Sequence, residues 1–337
     1  LALVTHEIHV AHLWGLERRF DYEAFVGPVH SHAAVVVFFV LSGYLIAYSV
    51  ENSIFRKPEY RFYDYFLDRW TRIYSVLLPA LAMTILFDVI GKSVSPLYYN
   101  DPSNVGQDHY PLRLMLNALC LQGAHGFRAS FGSNGALWSI SYEWAFYLWY
   151  GMVRLLAFRS RHPLALTFLF SGALVLVYGF PVSSYLLVWL MGVAAYFFQL
   201  RCGATIPFPL ACIVLLFSHW LVNMASVGLS GFSRDVFFAA FVANVLAFRA
   251  VSGVRPDGGL DRLSKYFADF SFSLYAYHMP IQVLLLTIAA IYAPKVRFPL
   301  ISLCVALATL LATRLFYSVT EANRGLLRRW IEKAIPR

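Results

Sequence analysis

The side chains able to do chemistry fall into a few groups, and their spacing matters as much as their type. The first is His6, Glu7, His9 and His12, inside an apolar run at the start of the chain. Imidazole gains and loses a proton near neutral pH, and steps of three residues keep the histidines on one slowly drifting helix face. Such a set can move protons, ligate a metal or sit hydrogen-bonded in a core. The second is Ser139 with Glu143, in ALWSISYEWAFYLWYGMV at 136–153, where Glu143 is the one charge. A four-residue step puts both on one helix face, and a carboxylate at the centre of a membrane span costs roughly 2.5–3.5 kcal/mol. The pair reads as a reactive polar site, or as a carboxylate held by Arg or Ser for packing alone. The third is Arg69 with Arg72, one helical turn apart. Two guanidiniums on one face can clamp phosphates or anchor a helix at its cytoplasmic end. The fourth is His278, followed by Pro280; the proline kinks a helix and frees a carbonyl, with core packing as the alternative for the histidine. Ser42-Gly43 interrupts a further apolar run, and for Gly43 close helix packing is the expectation.

These groups must be positioned by membrane helices. Hydrophobic residues are 59% and charged residues 13% of the 337, against about 25% charged in a soluble domain, and the mean hydropathy is +0.61. The expected fold is all-α: a polytopic integral membrane helix bundle of about ten transmembrane helices, at 1–14, 32–50, 73–91, 136–156, 164–180, 183–200, 207–224, 235–250, 269–292 and 298–318. The stretch 112–124 is too short to cross and reads as a re-entrant or interfacial helix. A net charge of +9 does not call for nucleic acid, because the basic residues are spread through short loops between apolar runs. Cys120, Cys202, Cys212 and Cys304 lack paired spacing, so no metal or disulfide framework is expected. With the N-terminus cytoplasmic, eighteen of the 27 Lys and Arg fall in inside loops or, as with Arg154 and Arg249, in the last residues of a span at its inside end; eight fall in outside loops, and Arg314 lies deeper within a span. This bias puts both termini in the cytoplasm and makes 92–135 a long external loop, whose Pro, Asp, Asn and Gly content suits a functional cap. Residues 1–337 read as a single transmembrane domain. The chain opens within an apolar run and without Met, so its native start is expected upstream. It ends soon after the last span, so no fused soluble domain is expected.

Several stretches together resemble the acyltransferase 3 family of bacterial integral membrane proteins. They are the early His6, FFVLSGYLI at 38–46, the Arg-x-x-Arg-Ile-Tyr of 69–74, LWSISYE at 137–143 and FSLYAYHMP at 272–280. They occur in the family's order and cover most of the chain. The resemblance implies transfer of an acyl group, usually acetyl, from acyl-CoA to a hydroxyl of a cell-surface glycan or lipid-linked sugar. It implies His6 as the catalytic histidine, acting as general base or as a covalent acyl carrier. Ser139 and Glu143 match the family's catalytic Ser-and-Glu motif, and Arg69 and Arg72 its arginine pair for acyl-CoA. His278 falls where many members have a His before a Pro; Glu7, His9 and Ser42 are further supporting candidates. The implied co-substrate is acetyl-CoA, with no permanently bound cofactor, no metal and no nucleic-acid partner. The implied setting is the lipid of the bacterial cytoplasmic (inner) membrane. Ser75 stands near where many members have Pro, and Trp144-Ala145 where many have Glu-Gln; these departures bear on the subgroup and the acceptor. The rival reading is a transporter or proton-coupled flippase of a glycan precursor, with His and Glu as a proton relay. Against it stands the lack of an inverted-repeat signature.

Overall fold

An apolar chain in hydrocarbon must satisfy its own backbone hydrogen bonds, and a helix does so within one segment. The computed structural model describes residues 29–100, 109–126, 129–203, 205–224, 231–248, 250–251, 259–293, 296 and 298–334. It is helical throughout except for a two-residue parallel pairing of Ile206–Pro207 with Ala250–Val251, an isolated bridge between Phe131 and Asn134 and the connecting turns. The main helices are α1 Val29–Arg56, α2 Phe62–Val94, α3 Tyr110–Ala118, α4 Trp138–Leu155, α5 Pro163–Cys202, α6 Phe208–Met224, α7 Gly231–Ala247, α8 Gly259–Asp269, α9 Ser271–Tyr292, α10 Phe298–Val319 and α11 Arg324–Ala334.

Among the described residues, five helices are long and apolar enough to cross a membrane: Ala33–Arg56, Phe62–Val94, Pro163–Cys202, Ser271–Tyr292 and Pro299–Ala334. The ten expected spans are not all recovered, and the reasons are local. The stretch 1–14 lies outside the described residues. The expected spans 164–180 and 183–200 form one 40-residue helix, but Gly179 inside it leaves the helical region at φ 77°, ψ 177°. That break falls where the boundary between the two spans was expected, and Pro181 lies just beyond it. Helix α4 has 18 residues and carries Glu143 and Arg154. The apolar part of α6, Phe208–Leu221, and the 17-residue α7 fall short of the ~20 residues that a hydrocarbon core needs. Helix α2 errs the other way: its 33 residues reach ~50 Å, beyond the ~30 Å core. A polar first stretch bearing Arg69 and Arg72 therefore precedes its apolar part.

The chain packs as two units, with α1, α2, α4 and α8 each contributing to both. One unit comprises His32–Tyr65 and Ala145–Ser264. Within it α1 and α5 touch backbone to backbone. A Cβ added to Gly43 would lie 2.1 Å from the Trp189 carbonyl oxygen, and one on Gly192 1.9 Å from that of Val40. Gly43 is thus a packing residue, as small residues in membrane helices usually are. Ser42 beside it is buried and accepts a 3.2 Å hydrogen bond from Trp189 Nε1, with the Tyr147 hydroxyl also at 3.2 Å. It satisfies an indole in the core. Arg154 in the last turn of α4 grips Glu51 with two hydrogen bonds, 2.6 and 2.8 Å.

The other unit contains Phe66–Trp144 and Lys265–Arg337. Here the expected external loop is, where described, packed and stitched by side-chain donors. Asn117 Nδ2 donates to the Ala129 carbonyl at 2.6 Å, Gln122 Nε2 to that of Leu137 at 2.7 Å and Arg113 Nη1 to that of Ser130 at 3.0 Å. Gly132 adopts φ 56°, and a Cβ there would lie 2.0 Å from an Asp88 oxygen; only glycine meets both demands. The same carboxylate accepts the Ser133 N–H at 3.1 Å. This strap holds 133–137 in place for the start of α4.

Candidate active site

All the geometry that follows lies within the unit of Phe66–Trp144 and Lys265–Arg337. Ser139 and Glu143 sit one turn apart on α4 and are both buried, at 1% and 3% exposure. Tyr275 of α9 donates its hydroxyl proton to the Ala136 carbonyl at 2.7 Å. Ser139 Oγ lies 2.6 Å from the same hydroxyl. A phenol has one proton, so Ser139 is the donor in that second bond. The charge of Glu143 also acts on the Cys120 thiol. The result is a serine, a phenol and a carboxylate gathered where α4 passes α9.

His278 lies one turn along α9 from Tyr275, at 2% exposure, with the two rings 6.0 Å apart between centroids. Its Nδ1 is 2.8 Å from the Tyr275 carbonyl and 3.1 Å from the Leu274 carbonyl. Carbonyls only accept, so Nδ1 carries the proton and Nε2 is the nitrogen with the basic lone pair. Two residues on, Pro280 has no N–H to give the Ala276 carbonyl. Asn134 fills that gap: its Nδ2 donates to Ala276 O at 2.9 Å and to Thr84 Oγ1 at 3.2 Å. The strap, α2 and the His-Pro turn of α9 are thereby joined at one buried carboxamide.

Next to Glu143 in the chain, Trp144 belongs to an aromatic group. Trp70 stacks on Tyr74, ring centroids 4.8 Å apart, and Trp144 meets Tyr74 and Phe66, each at 5.8 Å. Cys120 is fully buried and adopts φ 56°, an uncommon conformation for a residue with a side chain. Burial pushes its thiol up to about 12; a hydrogen bond with Tyr74 offsets part of this and the charge of Glu143 adds to it. It is therefore a neutral thiol, unsuited to nucleophilic attack.

Arg69 and Arg72, half-buried on the polar start of α2, belong to the same unit. Arg72 lies 5.8 Å from the Phe272 ring and lines a cleft of about 240 Å³ with Asp269, Tyr317, Glu321 and Arg324. Glu321 is buried there and accepts the Ser273 hydroxyl at 2.7 Å. The mixed lining offers cations for an anionic group and carboxylates for hydroxyl or amino donors.

Of the expected site residues, Ser139, Glu143, His278, Arg69 and Arg72 share this unit, whereas Ser42 belongs to the other. His6, Glu7 and His9, with His12, lie outside the described residues. Among those described, no group of three or more His, Cys, Asp or Glu could hold a metal ion. Sequence reasoning missed Tyr275, Cys120 and Asn134. Tyr275 was signalled only by its place one turn before His278 in FSLYAYHMP, and Asn134 by the proline whose missing donor it replaces. In comparisons with known proteins, the family model described as "Acyltransferase domain" matches residues 6–318. Neither the curated proteins nor the solved structures gave a match. The matched range takes in every residue of the buried cluster and both arginines, and it runs through membrane-length helices; the chain belongs to the acyltransferase 3 family, the membrane acyltransferases.

Proposed function

We propose that the protein is an O-acyltransferase of the bacterial cytoplasmic membrane. It moves an acyl group, acetyl in the simplest case, from acyl-CoA to a hydroxyl of a cell-surface glycan or lipid-linked sugar. About ten helices cross the bilayer with both termini cytoplasmic. Acyl-CoA, made in the cytoplasm, meets Arg69 and Arg72 at the cytoplasmic mouth of α2, and their guanidiniums bind its phosphates. His6 takes the acceptor's hydroxyl proton as the new C–O bond forms and the C–S bond of the thioester breaks; the proton leaves on the CoA thiol. Proton transfer of this kind contributes about 10²–10⁴-fold. Glu143 charge-balances the polar centre, while Ser139 and Tyr275 fix the hydrogen-bond geometry beside it. The observation that best supports the reading is the buried Ser139–Tyr275–Glu143 cluster in a chain of this family, since an intramembrane carboxylate is retained where it serves a reaction or a pathway.

Membranes containing the protein, incubated with acetyl-CoA labelled in its acetyl group, should pass label to a glycan or lipid-linked sugar fraction in an alkali-labile ester. Arg69→Ala or Arg72→Ala should weaken acyl-CoA binding by about one to two powers of ten, because a charge-assisted hydrogen bond contributes roughly 1.5–3 kcal/mol. Unchanged donor affinity in a folded double Ala variant would reassign the pair to anchoring. No ester product with any acyl-CoA would overturn the donor itself.

A further inference from the structure

The last helix carries a surface that the acyl-transfer reading does not use. Helix α10 has 22 residues, ~33 Å of helix, enough to cross the hydrocarbon alone. The chain then leaves the helical path at Thr320 (φ −115°, ψ −89°) and makes a 3₁₀ turn at Glu321–Asn323. With α10 filling the span, helix α11, RGLLRRWIEKA, would start at the membrane surface. It has four cations (Arg324, Arg328, Arg329, Lys333) and one carboxylate, Glu332. Its two sides differ. Arg328 is ion-paired to Asp68 and, at 3.0 Å, to Glu332, with Leu327 and Ile331 half-buried. Leu326, Arg329, Trp330 and Lys333 are all exposed, Trp330 at 77%. Steps of three and four residues place these on one stripe. A water-facing stripe has no use for Trp and Leu, and a tail-facing stripe excludes Arg and Lys. Mixed Trp and cations suit the headgroup zone, where the indole sits at the interface and cations meet lipid phosphates.

We propose that this stripe of α11 docks on anionic phospholipid headgroups. The helix lies along the membrane surface, its inner side tied through Arg328 and Asp68 to the turn of α2 that bears Arg69. The test is native mass spectrometry of the purified full chain offered equal amounts of phosphatidylglycerol and phosphatidylcholine. The wild type should retain the anionic lipid preferentially. In Arg329→Gln/Lys333→Gln that preference should fall at least about five-fold, the effect expected of even one cation near an anionic surface. Trp330→Ala should lower retention of both lipids and leave their ratio unchanged. An unchanged lipid ratio in the double variant would overturn the proposal. So would a shift in the monomer–dimer balance without a change in lipid, which would make the stripe a face for a second copy. Should the double variant not elute as a folded species, Lys333→Gln alone is read the same way, with the roughly five-fold fall of one cation.

Discussion

Single protons decide most of what the site residues can do. The Tyr275 hydroxyl gives its proton to Ala136 O, which makes Ser139 a donor to Tyr275 rather than a nucleophile awaiting a base. The carbonyls around His278 Nδ1 leave Nε2 as its basic atom. Cys120 is the clearest case of a reactive-looking group made inert. Burial holds its thiol well above the ordinary range, so little thiolate is present at pH 8. Alkylation at pH 8, read by peptide mass spectrometry, should therefore modify exposed Cys202 fully and Cys120 only after denaturation; equal labelling would contradict the buried site. Glu143, Arg69, Arg72 and His278 were legible in the sequence because charged and titratable groups stand out in apolar runs. Tyr275 and Cys120 were not, because tyrosine and cysteine are ordinary core residues; only tertiary proximity to Glu143 gives them a part.

At the scale of elements, the turn that carries His278 depends on a donor from elsewhere in the chain. Pro280 leaves the Ala276 carbonyl to Asn134, and a buried acceptor without a partner costs about 1–3 kcal/mol. Asn134→Leu should lower thermal stability in detergent by an amount of that order. In a Pro280→Ala background the helix supplies its own N–H, so the same substitution should cost clearly less; equal losses in both backgrounds, measured by unfolding midpoint, would show that the carboxamide does not replace the missing donor. The sequence signalled that Pro280 frees a carbonyl but not which residue answers it, since Asn134 is 142 positions away. Helix boundaries were legible where glycine or proline marks them, as at Gly179. Span counts were less so, because polar residues at Glu143, Arg154 and Asp235 thin the apolar signal of α4 and α7. Gly43 shows the opposite limit. Its packing role was readable from Ser42-Gly43, but its partner, the Trp189 and Val193 backbone of α5, was visible only once the helices crossed.

Over the whole molecule, the loop bias of eighteen Lys and Arg against eight argues for a cytoplasmic C-terminus and an external 92–135 segment. In a background without native cysteines, Asn104→Cys should react with a membrane-impermeant maleimide in intact spheroplasts and Ala334→Cys only after lysis; the reverse pattern would invert the topology and move Arg69 and Arg72 away from the donor's side. In the proposed reaction this membrane bundle transfers an acyl group from CoA with His6 as base. That reaction is tested most directly by single-turnover transfer from labelled acetyl-CoA by the purified protein, wild type beside His6→Ala, with donor binding measured on the same samples. His6→Ala should keep its fold and most of its acyl-CoA affinity while transfer falls at least about 10²-fold; transfer near the wild-type rate in the folded variant would remove His6 as the base.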